Sequence, residues 1–178
     1  MGKIKNHRPV KYFSAITFSD ESLLPEVFNK LTTIFGEIES KSEVFKFSLF
    51  TDYYKSEMGE ELDKQFISFS DLALPDKLPE FKAATNILEQ NFLNKVGRQV
   101  NIDPGYLTEA KIVLATTKDY SHRLYLQDGI FGDLHLYFEN GSFNPQIWTY
   151  PDYKQPISLS FFNKLRIRYR KQLGELFY

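Results

Sequence analysis

The chain has 178 residues, a length typical of one domain. Its 22 Lys and Arg residues nearly balance 23 Asp and Glu residues, and this balance argues against nucleic acid as the main partner. The sequence contains no Cys, which excludes disulfides, thiolate metal sites and a cysteine nucleophile. Its 17 Phe and 11 Tyr residues favour strands and supply much of a core.

The first half of the sequence predicts strands that alternate with helices. Aromatic and β-branched residues predict a strand at 9–18, and apolar residues at helical spacing predict a helix over 22–35. Alternating residues predict a half-buried strand at 44–50, and a polar loop then leads to a short strand at 65–70. A second helix is expected over 79–95.

The second half predicts consecutive hairpins and a final helix. Strands are expected at 110–116, 123–126, 130–138 and 142–148. Asp128-Gly129 and Asn140-Gly141 are strong signals for two-residue hairpin turns. A last helix is expected over 157–174, with its buried face formed by aromatic and leucine residues.

These elements predict the fold class. Short connections between neighbouring strands imply antiparallel pairing. We therefore expect a single α+β domain over residues 1–178, with a β-α-β-β-α start followed by a hairpin meander. The sheet is expected to be mainly antiparallel, with about three helices packed on one face.

Several common functional motifs are absent from the sequence. It has no P-loop, no Rossmann glycine fingerprint, no H-E-x-x-H, no EF-hand loop and no nucleophile elbow. It also has no signal-peptide pattern and no run of about 20 apolar residues. We therefore expect a cytoplasmic protein with no membrane segment.

Five groups of polar and aromatic residues exceed what a core requires. They are Asp52-Tyr53-Tyr54 with Glu57-Met58-Gly59, the helix stripe Lys82/Asn86/Glu89, the segment 97–106, Lys118-Asp119 with His122-Arg123, and the segment 148–153. Structural interpretations are also open: Asp-Pro-Gly in 101–106 is typical of a turn, and the helix stripe is typical of a solvated face.

Taken together and in this order, the groups resemble an uncharacterised prokaryotic family, the domain of unknown function 4416. The resemblance spans almost the whole chain. Its most specific parts are N-I-D-P-G-Y at 101–106, H-R-x-Y-L at 122–126 and W-T-Y-P-D-Y at 148–153. It implies single-domain size and a prokaryotic, cytoplasmic origin, and it implies no reaction.

The first functional hypothesis is a small enzyme or sensor that binds a phosphorylated ligand or a nucleotide. The candidate anion-binding residues are Lys82, Arg98, Lys118, His122 and Arg123. Carboxylates suit a hard cation such as Mg²⁺, and the candidate ligands are Asp52, Glu57 and Asp103.

Further roles follow from residue chemistry. Imidazole is the side chain that ordinarily changes charge near neutral pH, so His122 is the candidate acid or base, with Asp52 and Asp103 as the other catalytic candidates. Tyr53, Tyr54 and Trp148 are candidates for stacking on a base, and Asp152 is a further ligand-binding candidate. This hypothesis predicts that Asp52, Asp103 and His122 share one pocket.

Arg123 has two interpretations. As an anion holder it would keep free donors, whereas as scaffold it would pair with an acid such as Asp103, Asp119 or Asp133.

The alternative function is a non-catalytic protein- or RNA-interaction module that uses the aromatic loops and the C-terminal helix. Residues 154–178 carry six positive charges and one negative charge, although a solvated face also explains them. The sequence leaves the oligomeric state open.

Overall fold

The structure is a computed structural model that describes residues 2–95 and 97–177. Within these residues, nine strands are formed: Val10–Phe18 (β1), Ile38–Lys41 (β2), Phe45–Lys46 (β3), Asp63–Ala73 (β4), Val100–Leu107 (β5), Lys111–Thr116 (β6), Arg123–Gln127 (β7), Ile130–Glu139 (β8) and Ser142–Pro145 (β9). The α-helices are Leu24–Phe35 (α1), Lys55–Met58 (α2), Leu78–Glu89 (α3) and Pro156–Phe177 (α4).

All nine strands belong to one sheet. The order is β2-β4-β1-β5-β6-β8-β7, with β3 also paired to β4 and β9 also paired to β8. Every pairing is antiparallel. The predicted α+β class with a mainly antiparallel sheet is therefore confirmed. No helix in the described parts of the chain is long and apolar enough to cross a membrane.

The sheet carries helices on both faces, so the expectation of helices on one face is wrong. Tyr12 and Ile16 of β1 pack in a core with α1 and α3, whereas Phe13 and Ala15 pack in a second core with α4. All nine residues of β1 are buried. A strand covered on both faces needs apolar residues at both alternations, and the run Val10–Phe18 largely supplies them.

Both predicted hairpin turns are confirmed. Asp128 and Gly129 have φ values of 53° and 75°, and Asn140 and Gly141 have 51° and 84°. Two consecutive left-handed residues suit a type I′ turn, whose twist matches that of antiparallel strands. These turns connect β7 to β8 and β8 to β9.

The interpretation of N-I-D-P-G-Y as a turn is wrong. These residues lie inside β5, which pairs with β1 along its whole length. A Cβ atom at Gly105 would lie 2.6 Å from the Phe13 ring and 2.7 Å from the Val113 carbonyl oxygen. The glycine therefore serves the close packing of a buried strand and not a left-handed turn.

The predicted strand at 44–50 is also shorter than expected. Only Phe45–Lys46 pair with β4, and the chain then turns as a 3₁₀ helix at Phe47–Leu49. Phe47 turns away because it packs with Met58 and Leu62 in a small separate cluster. This cluster anchors the loop that contains α2.

The sheet divides between β5 and β6, and this division positions the candidate site. The two strands pair only from Gly105↔Leu114 to Leu107↔Ile112. Before Gly105, β5 continues beside β1 alone, whereas β6 continues beside β8 as far as Thr116. Pro104 has no backbone N–H to donate, and the ladder between β5 and β6 ends next to it.

Candidate functional site

A cavity of about 530 Å³ occupies the division between β5 and β6. Small-molecule sites commonly have volumes of about 300–1,000 Å³. Its charged and amide lining residues are Glu57, Lys64, Lys82, Asn86, Arg98, Asn101, Asp103, Lys118, Asp133 and Asp152. Its aromatic lining residues are Phe47, Tyr53, Tyr54, Tyr120, Tyr150 and Tyr153.

The cavity collects most of the site residues predicted from the sequence. Those that line it are Tyr53, Tyr54, Glu57, Lys82, Arg98, Asp103, Lys118 and Asp152. The remaining four, Asp52, His122, Arg123 and Trp148, are described residues that do not line it. Of the three side chains expected to share a pocket, Asp103 alone lines this one.

Adjacent strands build the floor of the cavity. Lys64, Thr17 and Asn101 lie side by side on β4, β1 and β5. The Lys64 ammonium is 2.6 Å from the Asp152 carboxylate, and both side chains are buried. Asp152 lies above the sheet on a 3₁₀ turn at Pro151–Lys154.

Helix α3 provides a second buried charge pair. Lys82 Nζ donates to Asp103 Oδ1 at 2.9 Å and to the Ile102 carbonyl at 3.1 Å. Asn101 donates to the other carboxylate oxygen at 2.8 Å. Burial opposes ionisation of Asp103, but Lys82, Lys64 and the Asn101 hydrogen bond together outweigh it, and the pKa of Asp103 lies below its ordinary value.

The interpretation of the α3 polar stripe as a solvated face is wrong. Lys82, Thr85 and Glu89 are buried because this side of the helix packs on β5. Glu89 Oε1 accepts a hydrogen bond from the Ile102 N–H at 2.7 Å. Burial nevertheless dominates at Glu89 and raises its pKa.

Arg98 joins α3 to the loop around α2. Its guanidinium binds the Glu89 carboxylate, and its Nε lies 3.0 Å from a carboxylate oxygen of Glu57. Gly97 beside it leaves no room for a Cβ, which would lie 2.3 Å from the Glu57 carbonyl oxygen. These contacts hold Tyr53 and Tyr54, on the same loop, beside the cavity.

The structure does not bring together Asp52, Glu57 and Asp103, the predicted magnesium ligands. Among residues 2–95 and 97–177, no group of three or more acidic or histidine side chains could hold a metal ion. Glu57 faces Arg98 and Asp103 faces Lys82, while Asp52 is exposed outside the cavity lining. Of these three carboxylates, the two that line the cavity, Glu57 and Asp103, are already compensated by Arg98 and Lys82.

Arg123 is a scaffold residue behind the cavity wall. Its side chain is 1% exposed, and Nε donates to Asp133 Oδ2 at 2.9 Å. Its other nitrogens donate to the Lys118 carbonyl at 3.0 Å and to the Tyr150 hydroxyl at 2.7 Å. Of its two interpretations, the geometry matches pairing with Asp133.

His135 completes this network. It accepts from the Tyr150 N–H through Nε2 at 3.1 Å, so its Nδ1 carries the hydrogen that faces Asp133 Oδ1 at 3.2 Å. Burial lowers the pKa of His135 and favours the neutral ring. Burial opposes ionisation of Asp133 as well, but His135 and Arg123 together lower its pKa.

His122 and Trp148 belong to the same wall. The two rings stack with centroids 4.9 Å apart, and the Trp148 indole donates to the Leu134 carbonyl at 2.9 Å. His122 Nε2 lies 3.4 Å from Asp133 Oδ2. The contacts of both rings are therefore with the wall, and neither ring lines the cavity.

Lys118 differs from the other cations that line the cavity. Lys64, Lys82 and Arg98 each pair with a carboxylate, whereas no described carboxylate lies within ion-pair distance of Lys118. Its ammonium lies 4.1 Å from the centroid of the Tyr53 ring. Partial burial and the neighbouring Arg123 lower the pKa of Lys118. It therefore remains available to an anionic ligand.

Sequence reasoning missed Lys64 and Tyr120, and it considered Asp133 only as a partner of Arg123. Lys64 carried a usable signal, because strand alternation places it on the same face as Phe66. A lysine on an apolar strand face requires a buried partner, which is Asp152. The exposed Tyr120 carried no comparable signal.

The fold and the cavity define an antiparallel α+β protein with a polar, aromatic-lined pocket in a divided sheet. Residues 8–169 match the model of a family described as a domain of unknown function (DUF4416), and the chain belongs to that family. The resemblance inferred from the three motifs is therefore confirmed. No curated protein and no solved structure matches the chain significantly.

Proposed function

We propose that this protein binds a phosphorylated small molecule, with nucleotides included in that class, in the cavity between β5 and β6. The observation that carries the proposal is Lys118, a cavity-lining cation without a carboxylate partner among the described residues. A phosphate monoester carries a charge of about −1.5 to −2 near neutral pH, and an ammonium group can pair with it. A prokaryotic, cytoplasmic setting remains a prediction from the sequence.

The surroundings of Lys118 support this assignment. Tyr53, Tyr120 and Tyr150 line the same cavity and are 60%, 56% and 40% exposed. Exposed aromatic rings around a concave site provide stacking surfaces for a ring-containing ligand. A partly hydrated phosphate at Lys118 would also avoid the full desolvation cost of a buried charge.

The geometry favours a binding or sensing role over catalysis. A general base must reach the proton that it abstracts in a bound substrate. His122 is the predicted acid or base, and its Nε2 faces Asp133 outside the cavity lining. The residues that line the cavity can bind and orient a ligand without a further role for His122.

The proposal is tested by calorimetric titration of inorganic phosphate, ribose 5-phosphate and AMP. We expect Lys118→Gln to weaken binding of all three by about tenfold or more, because a charge-assisted hydrogen bond contributes about 1.5–3 kcal/mol. Lys111→Gln is the matched control, since Lys111 is an exposed lysine on β6 outside the cavity lining. Absence of binding by the wild-type protein, or equal binding by Lys118→Gln, contradicts the proposal.

A second candidate function is a protein-interaction module, and the edge strand β7 favours it. Leu124 and Tyr125 on this strand are 76% and 62% exposed, and β7 pairs on one side only. Exposed apolar edges readily pair with another chain. This candidate predicts self-association that Leu124→Asp abolishes, measured by analytical ultracentrifugation. A monomeric wild-type protein at micromolar concentration counts against it.

A further inference from the structure

The hydroxyl of Tyr153 has unused hydrogen-bonding capacity at the cavity. Tyr153 lines the cavity and is 1% exposed, and its hydroxyl has no hydrogen-bond partner among the described residues. Buried polar groups in native proteins are nearly always hydrogen-bonded. An orphaned buried hydroxyl at a cavity therefore indicates a group that a ligand or a water molecule satisfies.

The ring of Tyr153 is fixed by its neighbours. It stacks on Phe162 with centroids 5.7 Å apart and meets Phe66 edge-on at 5.1 Å. The centroid of the His135 ring lies 4.6 Å from that of the Tyr153 ring. A ring held on several sides cannot readily rotate its hydroxyl to another partner, so the hydroxyl is preorganised for whatever occupies the adjacent space.

Two further groups near the cavity are also unpartnered. Thr17 Oγ1 is buried without a hydrogen bond to any described residue, and its strand neighbours Lys64 and Asn101 both line the cavity. Asn86 lines the cavity from α3, one turn after Lys82, and no hydrogen bond within the described chain engages its amide. A carboxamide offers both a donor and an acceptor.

The charges nearest to Tyr153 and Asn86 are already compensated. Lys64 pairs with Asp152, and Lys82 pairs with Asp103. A charged ligand group placed here would be buried without a counter-charge, which is strongly unfavourable. Burial and the nearby Asp152 raise the pKa of Tyr153, so its phenol remains a donor at neutral pH. The chemistry therefore suits an uncharged group that accepts a hydrogen bond.

We propose that Tyr153 and Asn86 form a neutral subsite that binds the uncharged ring of a phosphate ester whose phosphate lies at Lys118. The ligand class is thus a sugar phosphate or a nucleoside monophosphate. A ring oxygen, hydroxyl or heteroaromatic nitrogen accepts the Tyr153 hydrogen. The assignment of the phosphate end rests on the proposed function, whereas the neutral subsite rests on the unpartnered hydroxyl and amide.

The test separates the two ends with two variants and five ligands. Tyr153→Phe removes only the hydroxyl, and Lys118→Gln removes only the charge. Inorganic phosphate, ribose 5-phosphate, AMP, ribose and adenosine are titrated against each protein. We expect Tyr153→Phe to weaken binding of the preferred ester by about five- to tenfold, the loss of one neutral hydrogen bond, and to leave phosphate binding unchanged.

The unphosphorylated compounds provide the opposite comparison. The neutral compound that corresponds to the preferred ester is ribose or adenosine. We expect it to bind weakly and with equal affinity to the wild type and to Lys118→Gln. We expect it to bind more weakly still to Tyr153→Phe. Preference for ribose 5-phosphate over phosphate identifies the sugar as the occupant. Preference for AMP over ribose 5-phosphate identifies the base. Asn86→Ala repeats the test in case Tyr153→Phe does not fold, as judged by circular dichroism.

The outcomes distinguish the two proposals. The neutral subsite is overturned if Tyr153→Phe, Asn86→Ala and the wild type bind the esters with equal affinity. It is also overturned if the wild type binds inorganic phosphate and both esters with equal affinity. Either result leaves the phosphate site intact. Binding of adenosine or ribose that depends on Tyr153, without any effect of phosphate or Lys118, overturns the proposed phosphate site and supports the neutral subsite. No binding of any of the five ligands overturns both.

Discussion

The two sides of the cavity hold buried charges in different ways. On the α3 side, comprising Lys82, Glu89, Arg98 and Asp103, all but Glu89 line the cavity. On the β8 side, comprising Arg123, Asp133 and His135, the cation and the histidine lie behind the wall. Both sides contain a carboxylate with cationic or histidine partners. They differ in how far that carboxylate is exposed to water and to a ligand.

Asp103 and Asp133 make this difference concrete. The Asp103 side chain is 28% exposed and has one ionic partner among the described residues, Lys82. The Asp133 side chain is 1% exposed and meets Arg123, His135 and His122. A closed network of this kind fixes the backbone of the wall, whereas the open pair presents oxygen atoms to a bound molecule. The β8 side thus provides rigidity, and the α3 side provides contacts.

The largest predicted effect comes from breaking the closed network. Arg123→Met leaves Asp133 buried with histidine partners alone. We expect the free energy of unfolding to fall by about 3–5 kcal/mol, the usual cost of an uncompensated buried charge. Urea unfolding followed by circular dichroism measures it.

Lys82→Met is the matched variant on the open side. It also removes a buried cation from a carboxylate, but Asp103 keeps its Asn101 hydrogen bond and its contact with water. We expect a smaller loss, about 1.5–3 kcal/mol, the contribution of one hydrogen bond to a charged group. Equal losses for the two variants would show that the two sides do not differ as described.

The second prediction uses pH to compare one carboxylate from each side. The pKa of Asp133 is lowered in the folded protein, so its stabilisation is present above the unfolded value of about 3.9 and is lost as pH falls through the folded value. The pKa of Glu89 is raised, so its effect has the opposite sign: folding becomes more favourable as pH falls through the folded value towards about 4.3.

Melting temperatures measured between pH 2.5 and 7 test both signs. The deficit of Asp133→Asn relative to the wild type is expected to shrink as pH falls below about 4. The stability of the wild type relative to Glu89→Gln is expected to increase as pH falls from 7 towards 4. If the melting temperature of either variant follows pH in parallel with that of the wild type, the corresponding pKa direction is refuted.

The sequence predicted features that depend on neighbouring residues and missed those that depend on distant strands. Asp128-Gly129 specifies its turn through its own φ preferences, so the hairpin follows from two residues. Asp103-Pro104-Gly105 has equally strong turn preferences, but β1 pairs with this segment and keeps it extended. Tertiary pairing overrides local propensity in a buried strand.

The same limit applies to the candidate site. Helical periodicity placed Lys82 and Glu89 on one stripe, but periodicity cannot show which polar face a sheet covers. The motifs identified Arg98, Lys118 and Asp152 as unusual, whereas their convergence depends on where β5 and β6 separate. Lys64 could have been predicted as a site residue only because it shares an apolar strand face with Phe66, where a lysine requires a buried partner.

The smallest predicted effect on stability concerns Tyr120, an exposed residue that contacts the rigid β8 side and also lines the cavity. The Arg123 guanidinium lies 4.5 Å from the centroid of its ring, so the buried cation holds an aromatic surface at the cavity. Tyr120→Leu removes this cation–π contact, and we expect a loss of only about 0.5–1 kcal/mol of stability. If the ring also stacks on the ligand, AMP affinity falls by about five- to 150-fold, because stacking on one base contributes about 1–3 kcal/mol. Affinity for inorganic phosphate stays the same.

The control is Tyr125→Leu, because Tyr125 is an exposed tyrosine on β7 outside the cavity lining. A change in stability without a change in AMP affinity would limit Tyr120 to the wall, and the closed side would then contribute rigidity alone.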